Sequence, residues 1–122
     1  MVKILLDSVI LIDHLNGIGA ATAYLSQVHL NAAVSAVTRA EVLAGYDEQA
    51  TPPIKQLLDA FPVLSLDAPI ADLAATLRRQ HKWKLPDAFQ AALAQTHKLK
   101  LATRNTKDFP SRHDFVEIPY EL

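Results

Sequence analysis

Short apolar runs alternate with helix-forming segments along this chain, and that alternation restricts the fold more than any other feature. Residues 2–6, 32–36, 63–66, 99–103 and 116–118 have the length and composition of buried strands. Strands joined through helices predict an α/β three-layer sandwich, in which helices cover both faces of a mostly parallel sheet of about five strands. Proline and cap residues at the intervening segments predict helices near 9–15, 20–28, 38–48, 54–60, 68–81 and 86–98.

The length and composition predict one domain spanning residues 1–122. The absence of cysteine excludes a disulfide framework and a thiolate metal site, and it favours a reducing cytoplasm. Lys3, Asp7 and Asp13 interrupt the apolar N-terminal run, which falls short of the roughly 20 residues that a membrane span needs. We therefore expect a cytoplasmic protein without a membrane association.

The net charge of −1 conceals an acidic part and a basic part of the chain. Residues 1–77 carry three basic against eight acidic side chains, whereas residues 78–122 carry nine against five. A basic surface beside an acidic pocket is compatible with binding nucleic acid. The basic residues 78–84 are alternatively a solvated helix end and loop. The candidate contacts to nucleic-acid phosphates are Arg78, Arg79, Lys82, Lys84 and Arg104.

Four acidic residues follow the predicted strands or open the next helix, where the ligands of open parallel sheets bind. They are Asp7, Glu41, Asp87 and Asp108. Each also has a purely structural interpretation. Asp7 could be a helix N-cap, Thr38 and Glu41 could form a capping box, Asp87 could favour a first helical turn electrostatically, and Asp108 could hold a turn.

Carboxylates that converge repel one another unless a cation lies between them. The five histidines show no ligand spacing, so a carboxylate cluster here favours a hard cation, Mg²⁺ or Mn²⁺. Such an ion lowers the pKa of bound water and neutralises phosphoryl charge. The pattern therefore indicates phosphodiester hydrolysis.

Several segments in order resemble the motifs of PIN-domain ribonucleases, most closely the VapC-type toxins of bacterial VapBC toxin–antitoxin systems. The order and spacing agree from residue 2 to about residue 110. The segments are Leu5–Asp13, Thr38–Gly45, Leu85–Ala88 and Leu101–Phe109.

This resemblance implies a PIN-like, Rossmann-like fold and Mg²⁺- or Mn²⁺-dependent cleavage of RNA. It also implies a homodimer and inhibition by a cognate VapB-type antitoxin, with which a larger assembly can form. Carried over by position, the acidic metal site is Asp7, Glu41, Asp87 and Asp108, with Asp7 and Asp87 as direct ligands. Ser8 would orient Asp7 or a water, and Thr103 and Asn105 would support the last corner of the site.

Two positions depart from the family pattern. Val9 stands where many relatives have Asn or Ser, which removes a polar group beside the site. Either Asn105 or Asp108 could face the metal, and we favour Asp108 because a carboxylate binds Mg²⁺ better than an amide oxygen does.

Other functions and roles stay open at this stage. A catalytically weak PIN domain that binds RNA or a partner as a regulator is the main alternative. A receiver-type signalling module fits poorly because Asp7 is followed by Ser8 rather than by a second acid. Trp83 could stack on an unpaired base or cover the edge of the core or a dimer interface, and we favour the second role. Asp13 could line the rim of the acidic pocket or face solvent.

Overall fold

The computed structural model describes residues 1–107, 109 and 113–122. These residues form strands and helices that alternate as the sequence predicts, with a short 3₁₀ turn at His29–Asn31. In chain order the elements are β1 (Ile4–Leu6), α1 (Ser8–Leu15), α2 (Gly19–Val28), β2 (Ala32–Ser35), α3 (Ala36–Ala44), α4 (Thr51–Leu58), β3 (Val63–Leu64), α5 (Ala68–His81), α6 (Leu85–His97), β4 (Lys100–Ala102) and β5 (Val116–Glu117).

The five strands form one sheet in the order β3-β2-β1-β4-β5. Every neighbouring pair is parallel, and Leu5 of β1 lies opposite Ala33 of β2 and Leu101 of β4. The predicted α/β fold with a parallel sheet of about five strands is confirmed. Because β1 is central, the residue that follows it lies in the middle of the carboxyl edge of the sheet.

Alternate residues of β1 enter two different cores. Leu5 packs with α5 and α6 on one face of the sheet, in a cluster that includes Ala91 and Leu101. Leu6 faces the other side, where it packs with residues of α1 to α4 such as Ile10. Both leucines are fully buried. This two-sided burial explains why the strand is an uninterrupted apolar run.

The start of α3 differs from the prediction. The helix begins at Ala36 because Ser35 is its N-cap and accepts a hydrogen bond of 2.9 Å from the backbone N–H of Thr38. The predicted capping box of Thr38 and Glu41 is therefore wrong, since Glu41 lies beyond the first turn. The helix ends at Ala44, earlier than predicted, and Gly45 is its C-cap.

No helix among the described residues is both long and apolar enough to cross a membrane.

Candidate active site

Asp7 lies at the centre of the carboxyl edge of the sheet and is 6% exposed. Its Oδ1 accepts hydrogen bonds from the backbone N–H of Ser8 at 2.9 Å and from Gln90 Nε2 at 3.3 Å. Its Oδ2 accepts a hydrogen bond of 2.7 Å from the Thr103 hydroxyl. Asp7 is also the N-cap of α1, as one interpretation of the sequence expected. Capping fixes the Asp7 carboxylate at the end of β1. The three groups that donate to it are all neutral, so these hydrogen bonds do not balance its charge.

Glu41 interacts electrostatically with Asp7. It projects from α3 as an exposed residue, yet partial burial of its carboxyl group and the negative charge of Asp7 both raise its pKa. A hydrogen bond from the Ser8 side chain acts in the opposite direction and lowers the pKa. Ser8 therefore contacts both acids, through its backbone with Asp7 and through its side chain with Glu41.

Of the other two predicted acids, the structure describes Asp87 but not Asp108. Asp87 is half-buried in the first turn of α6, as expected. Asp108 lies outside the described residues. Within residues 1–107, 109 and 113–122, no group of three or more histidine and acidic side chains could hold a metal ion.

Gln90 is a residue of this site that the sequence analysis missed. Its side chain is 1% exposed, and Nε2 donates hydrogen bonds to Asp7 and, at 2.6 Å, to the Thr38 hydroxyl. Thr38 Oγ1 in turn donates to the backbone carbonyl of Leu6 at 3.3 Å. The available signal was spacing, since Gln90 follows Asp87 by three residues and so shares its helix face.

The other polar atom of the Gln90 side chain has an unusual environment. Oε1 is buried and has no hydrogen-bond partner among the described residues. Leaving a buried acceptor unpaired costs about 1–3 kcal/mol. The opposite amide orientation would place this oxygen against the Asp7 carboxylate, so the contacts of Nε2 determine the orientation observed.

Thr103 and Asn105 follow β4 in adjacent positions of the site. Thr103 is buried and holds Asp7, and the backbone N–H of Asn105 donates to the Thr103 hydroxyl at 3.0 Å. Thr103 therefore holds Asp7, whereas the support of the last corner of the site by Thr103 and Asn105 stays a prediction. Whether Asn105 or Asp108 forms the fourth corner stays a prediction, because Asp108 is not described.

Asp13 does not face solvent, and this part of the sequence interpretation is wrong. It is 3% exposed and accepts hydrogen bonds of 2.8 Å from Arg104 Nε and Nη2 and of 2.7 Å from the Tyr120 hydroxyl. The Arg104 guanidinium lowers the pKa of Asp13, burial opposes this, and the Tyr120 hydrogen bond adds to the lowering. Arg104, a candidate RNA contact, therefore forms a salt bridge with Asp13.

Basic residues at the end of α5 and in the loop before α6 lie next to a buried aromatic side chain in the sequence. Trp83 is 5% exposed, stacks on His81 and packs against Phe109, which confirms the favoured role at the core. Arg78 donates to the Trp83 carbonyl at 2.9 Å. Lys82, Lys84 and Arg79 are exposed. The loop that carries the two lysines leads directly into the turn of α6 that bears Asp87.

The donor set around Asp7 fits a hard cation. Among the described residues, no lysine or arginine forms a salt bridge with Asp7 or Glu41, although Arg104 does so with Asp13. The charge of Asp7 raises the pKa of Glu41, so the two carboxyl groups are close enough for their negative charges to interact. Carboxylate oxygens in such an arrangement suit Mg²⁺ or Mn²⁺.

Comparisons with known proteins agree with this fold. The PIN domain family model matches residues 4–114. Ribonuclease VapC10 of Mycobacterium tuberculosis is 35% identical over 114 residues, which cover 88% of this chain and 86% of that protein. A chain in a toxin–antitoxin complex from Klebsiella pneumoniae superposes with a TM-score of 0.89 at 36% identity, covering 98% of this chain and 100% of its own. FitAcB from Neisseria gonorrhoeae gives a TM-score of 0.81 at 26% identity, with coverage of 98% and 100%.

Proposed function

The chain belongs to the PIN domain family, and from this premise we propose that it is a metal-dependent endoribonuclease of the VapC toxin type. The observation that carries the proposal is the buried Asp7 carboxylate. Three neutral donors hold it, and it shares its negative field with Glu41. A buried anion held in this way provides a preorganised position for Mg²⁺ or Mn²⁺.

The residues proposed to hold the ion are Asp7, Glu41, Asp87 and Asp108, with Asp7 and Asp87 as direct ligands. When bound, the ion supplies an activated water and neutralises phosphoryl charge. Thr103 and the backbone of Ser8 keep the Asp7 carboxylate in one orientation. Burial and the negative charge of Asp7 raise the pKa of Glu41 in the metal-free chain, and a divalent cation held between the two carboxyl groups would relieve that repulsion.

RNA is the proposed substrate, and the exposed cations Arg79, Lys82 and Lys84 are its proposed phosphate contacts. Their loop precedes the turn of α6 that carries Asp87, so a bound phosphate backbone would lie near the acidic site. Arg78 and Arg104 already bond within the protein, to the Trp83 carbonyl and to Asp13. Arg79 makes only a long hydrogen bond of 3.4 Å to the Thr76 hydroxyl, so we expect Arg79 and the two lysines to contact RNA more than Arg78 and Arg104 do.

A cognate VapB-type antitoxin is the proposed partner. Its support is the likeness to the chain from the Klebsiella pneumoniae toxin–antitoxin complex. We also propose a homodimer, which can form a larger assembly with the antitoxin.

The test of the activity compares two aspartates that cap helices. Asp7 and Asp67 both accept a backbone hydrogen bond as N-caps, and asparagine is an equally good cap. We expect Asp7→Asn to lose RNA cleavage in Mg²⁺ or Mn²⁺ by at least about 100-fold, and Asp67→Asn to keep it. Wild-type cleavage should stop in excess chelator.

Two results would contradict the proposal. Full wild-type cleavage in chelator would exclude the metal mechanism. Binding of RNA without cleavage in either metal would instead favour the alternative, a catalytically weak PIN domain that acts as an RNA- or partner-binding regulator.

A further inference from the structure

Gln90 connects the acidic edge of the sheet to α3 through one amide group. Its Nε2 donates both to Asp7 Oδ1 at 3.3 Å and to Thr38 Oγ1 at 2.6 Å. These two acceptors belong to different elements, since Asp7 caps α1 and Thr38 lies in the first turn of α3. Three residues after Thr38, on the same side of α3, stands Glu41.

The contacts of Gln90 exceed what a core position requires. An apolar side chain of similar volume would avoid the desolvation of a buried amide. Gln90 instead has a fully buried amide whose Oε1 has no partner among the described residues. The two bonds of Nε2 therefore explain the glutamine, because they fix Asp7 and Thr38 relative to each other.

The unpaired oxygen also lies close to the site. In a planar amide Oε1 is about 2.3 Å from Nε2. Since Nε2 lies 3.3 Å from Asp7 Oδ1, Oε1 is within about 5.6 Å of the carboxylate.

We propose that Gln90 is a positioning residue for the metal site, holding Asp7 in its metal-binding orientation and using Thr38 as a second anchor. The inference rests on the proposed function, because it assumes that Asp7 binds a divalent ion. Partners that orient metal ligands in this way commonly change metal affinity by about 10- to 100-fold when they are removed.

The experiment measures Mn²⁺ affinity directly, by following free Mn²⁺ by electron paramagnetic resonance without RNA. We expect Gln90→Met, which keeps the volume but removes the donor, to weaken Mn²⁺ binding by at least about tenfold. Gln95→Met is the matched control, since Gln95 is an exposed residue of the same helix. This control should bind Mn²⁺ as the wild type does.

A second set of variants tests the coupling through Thr38 and also serves if Gln90→Met does not fold. Thr38→Val removes the hydroxyl and should weaken Mn²⁺ binding, whereas Thr38→Ser retains the hydroxyl and should keep more of the affinity. If the Gln90 amide carries both contacts, the double variant Gln90→Met/Thr38→Val should bind Mn²⁺ only slightly more weakly than Gln90→Met alone. If the two substitutions acted independently, the factors by which they weaken Mn²⁺ binding would multiply.

Wild-type Mn²⁺ affinity in Gln90→Met, or losses that multiply in the double variant, would overturn the positioning role. If wild-type cleavage is metal-dependent in that case, the proposed function stands and only this inference fails. If the wild type itself binds no Mn²⁺, both fail.

Discussion

Arg104 donates hydrogen bonds of 2.8 Å to each carboxylate oxygen of Asp13, which balances the charge of that buried aspartate. Asp7, at the strand end before the same helix, receives hydrogen bonds only from neutral donors in its described contacts. Two buried aspartates of one region are therefore stabilised in different ways. The difference distinguishes a structural ion pair at Asp13 from the proposed cation site at Asp7.

The first prediction concerns the stability that the Asp13–Arg104 pair provides. Arg104→Met leaves the buried Asp13 carboxylate without its cation. We expect the free energy of unfolding at pH 7 to fall by about 2–3 kcal/mol, at or below the lower end of the range of about 3–5 kcal/mol for breaking a fully buried pair, because Arg104 is partly exposed. Arg39→Met breaks a pair whose acidic partner, Asp59, is 63% exposed, and it should cost about 1 kcal/mol or less. Urea denaturation measures both.

The contribution of this pair should depend on pH in a defined direction. Because the folded pKa of Asp13 lies below its ordinary value of 3.8, the stabilisation is present above that value and is lost as the pH falls through the lowered pKa. The stability difference between the wild type and Arg104→Met should therefore shrink below about pH 4. A difference that stays constant down to about pH 2 would contradict the assignment.

The second prediction concerns Glu41 in the absence of metal. Its pKa is raised, so its charged form is less favourable in the folded chain and the fold loses stability as the pH rises through that pKa. Glu41→Gln should therefore have a Tm higher by about 1–4 °C at pH 7 in chelator. Saturating Mg²⁺ should reduce or reverse this advantage, because the wild type gains stability from the bound ion. A lower Tm for Glu41→Gln in chelator would contradict this electrostatic role.

The third prediction concerns Trp83. Because its ring is buried between His81 and Phe109, Trp83→Ala should cost about 3–5 kcal/mol of unfolding free energy. Trp83→Leu should cost less and should bind RNA within about twofold of the wild type, since a buried ring cannot stack on a base. A tenfold loss of RNA affinity in a folded Trp83→Leu variant would instead place the ring in the RNA-binding surface.

The order of the elements could be predicted because the strands lie in short apolar runs and most helices begin at a cap residue or a proline. Asp7 was found because it directly follows such a run. The start of α3 was misplaced because Ser35 and Thr38 are both acceptable N-caps, three residues apart. The packing of β2 in the folded chain determines that Ser35 is the N-cap of α3.

Local sequence patterns do not predict the tertiary contacts of the site. Asp13 meets Arg104 and Tyr120 across 91 and 107 residues, and no local motif marks such a pair. Gln90 resembles any polar residue of an alanine-rich helix, and its role depends on contacts with Asp7 and Thr38. Long-range hydrogen bonds of this kind follow from how the elements pack.

The fourth prediction concerns the exposed cations near Asp87. Arg79→Gln and Lys84→Gln should each weaken RNA binding and reduce the slope of log affinity against log salt by about 0.7 for each phosphate that the variant no longer neutralises. Lys55→Gln is the control, because Lys55 is exposed on α4, which packs on the other face of the sheet. All measurements use the Asp7→Asn background so that the RNA stays intact. Equal effects of all three changes would indicate a general charge effect instead of a binding surface.

The last prediction concerns inhibition by the proposed VapB-type antitoxin. A carboxylate site that favours a cation also accepts a guanidinium, which is planar and always charged. We expect an arginine in the antitoxin tail to reach Asp7, Asp87 and Asp108 and to compete with the metal. Rising Mg²⁺ should therefore weaken inhibition by the intact antitoxin and leave inhibition by a variant without the arginine largely unchanged.

The same competition predicts how the toxin variants bind the antitoxin. Asp7→Asn should lower the affinity for the intact antitoxin, whereas Asp67→Asn should not, because Asp67 caps α5 outside the acidic site. Part of the affinity should survive in Asp7→Asn, since apolar contacts elsewhere in an interface usually carry most of the binding energy. Calorimetric titration of both variants, together with cleavage assays at increasing Mg²⁺, measures these effects. If inhibition responds to neither the arginine nor the metal, the antitoxin acts away from these acids and the competition mechanism is wrong.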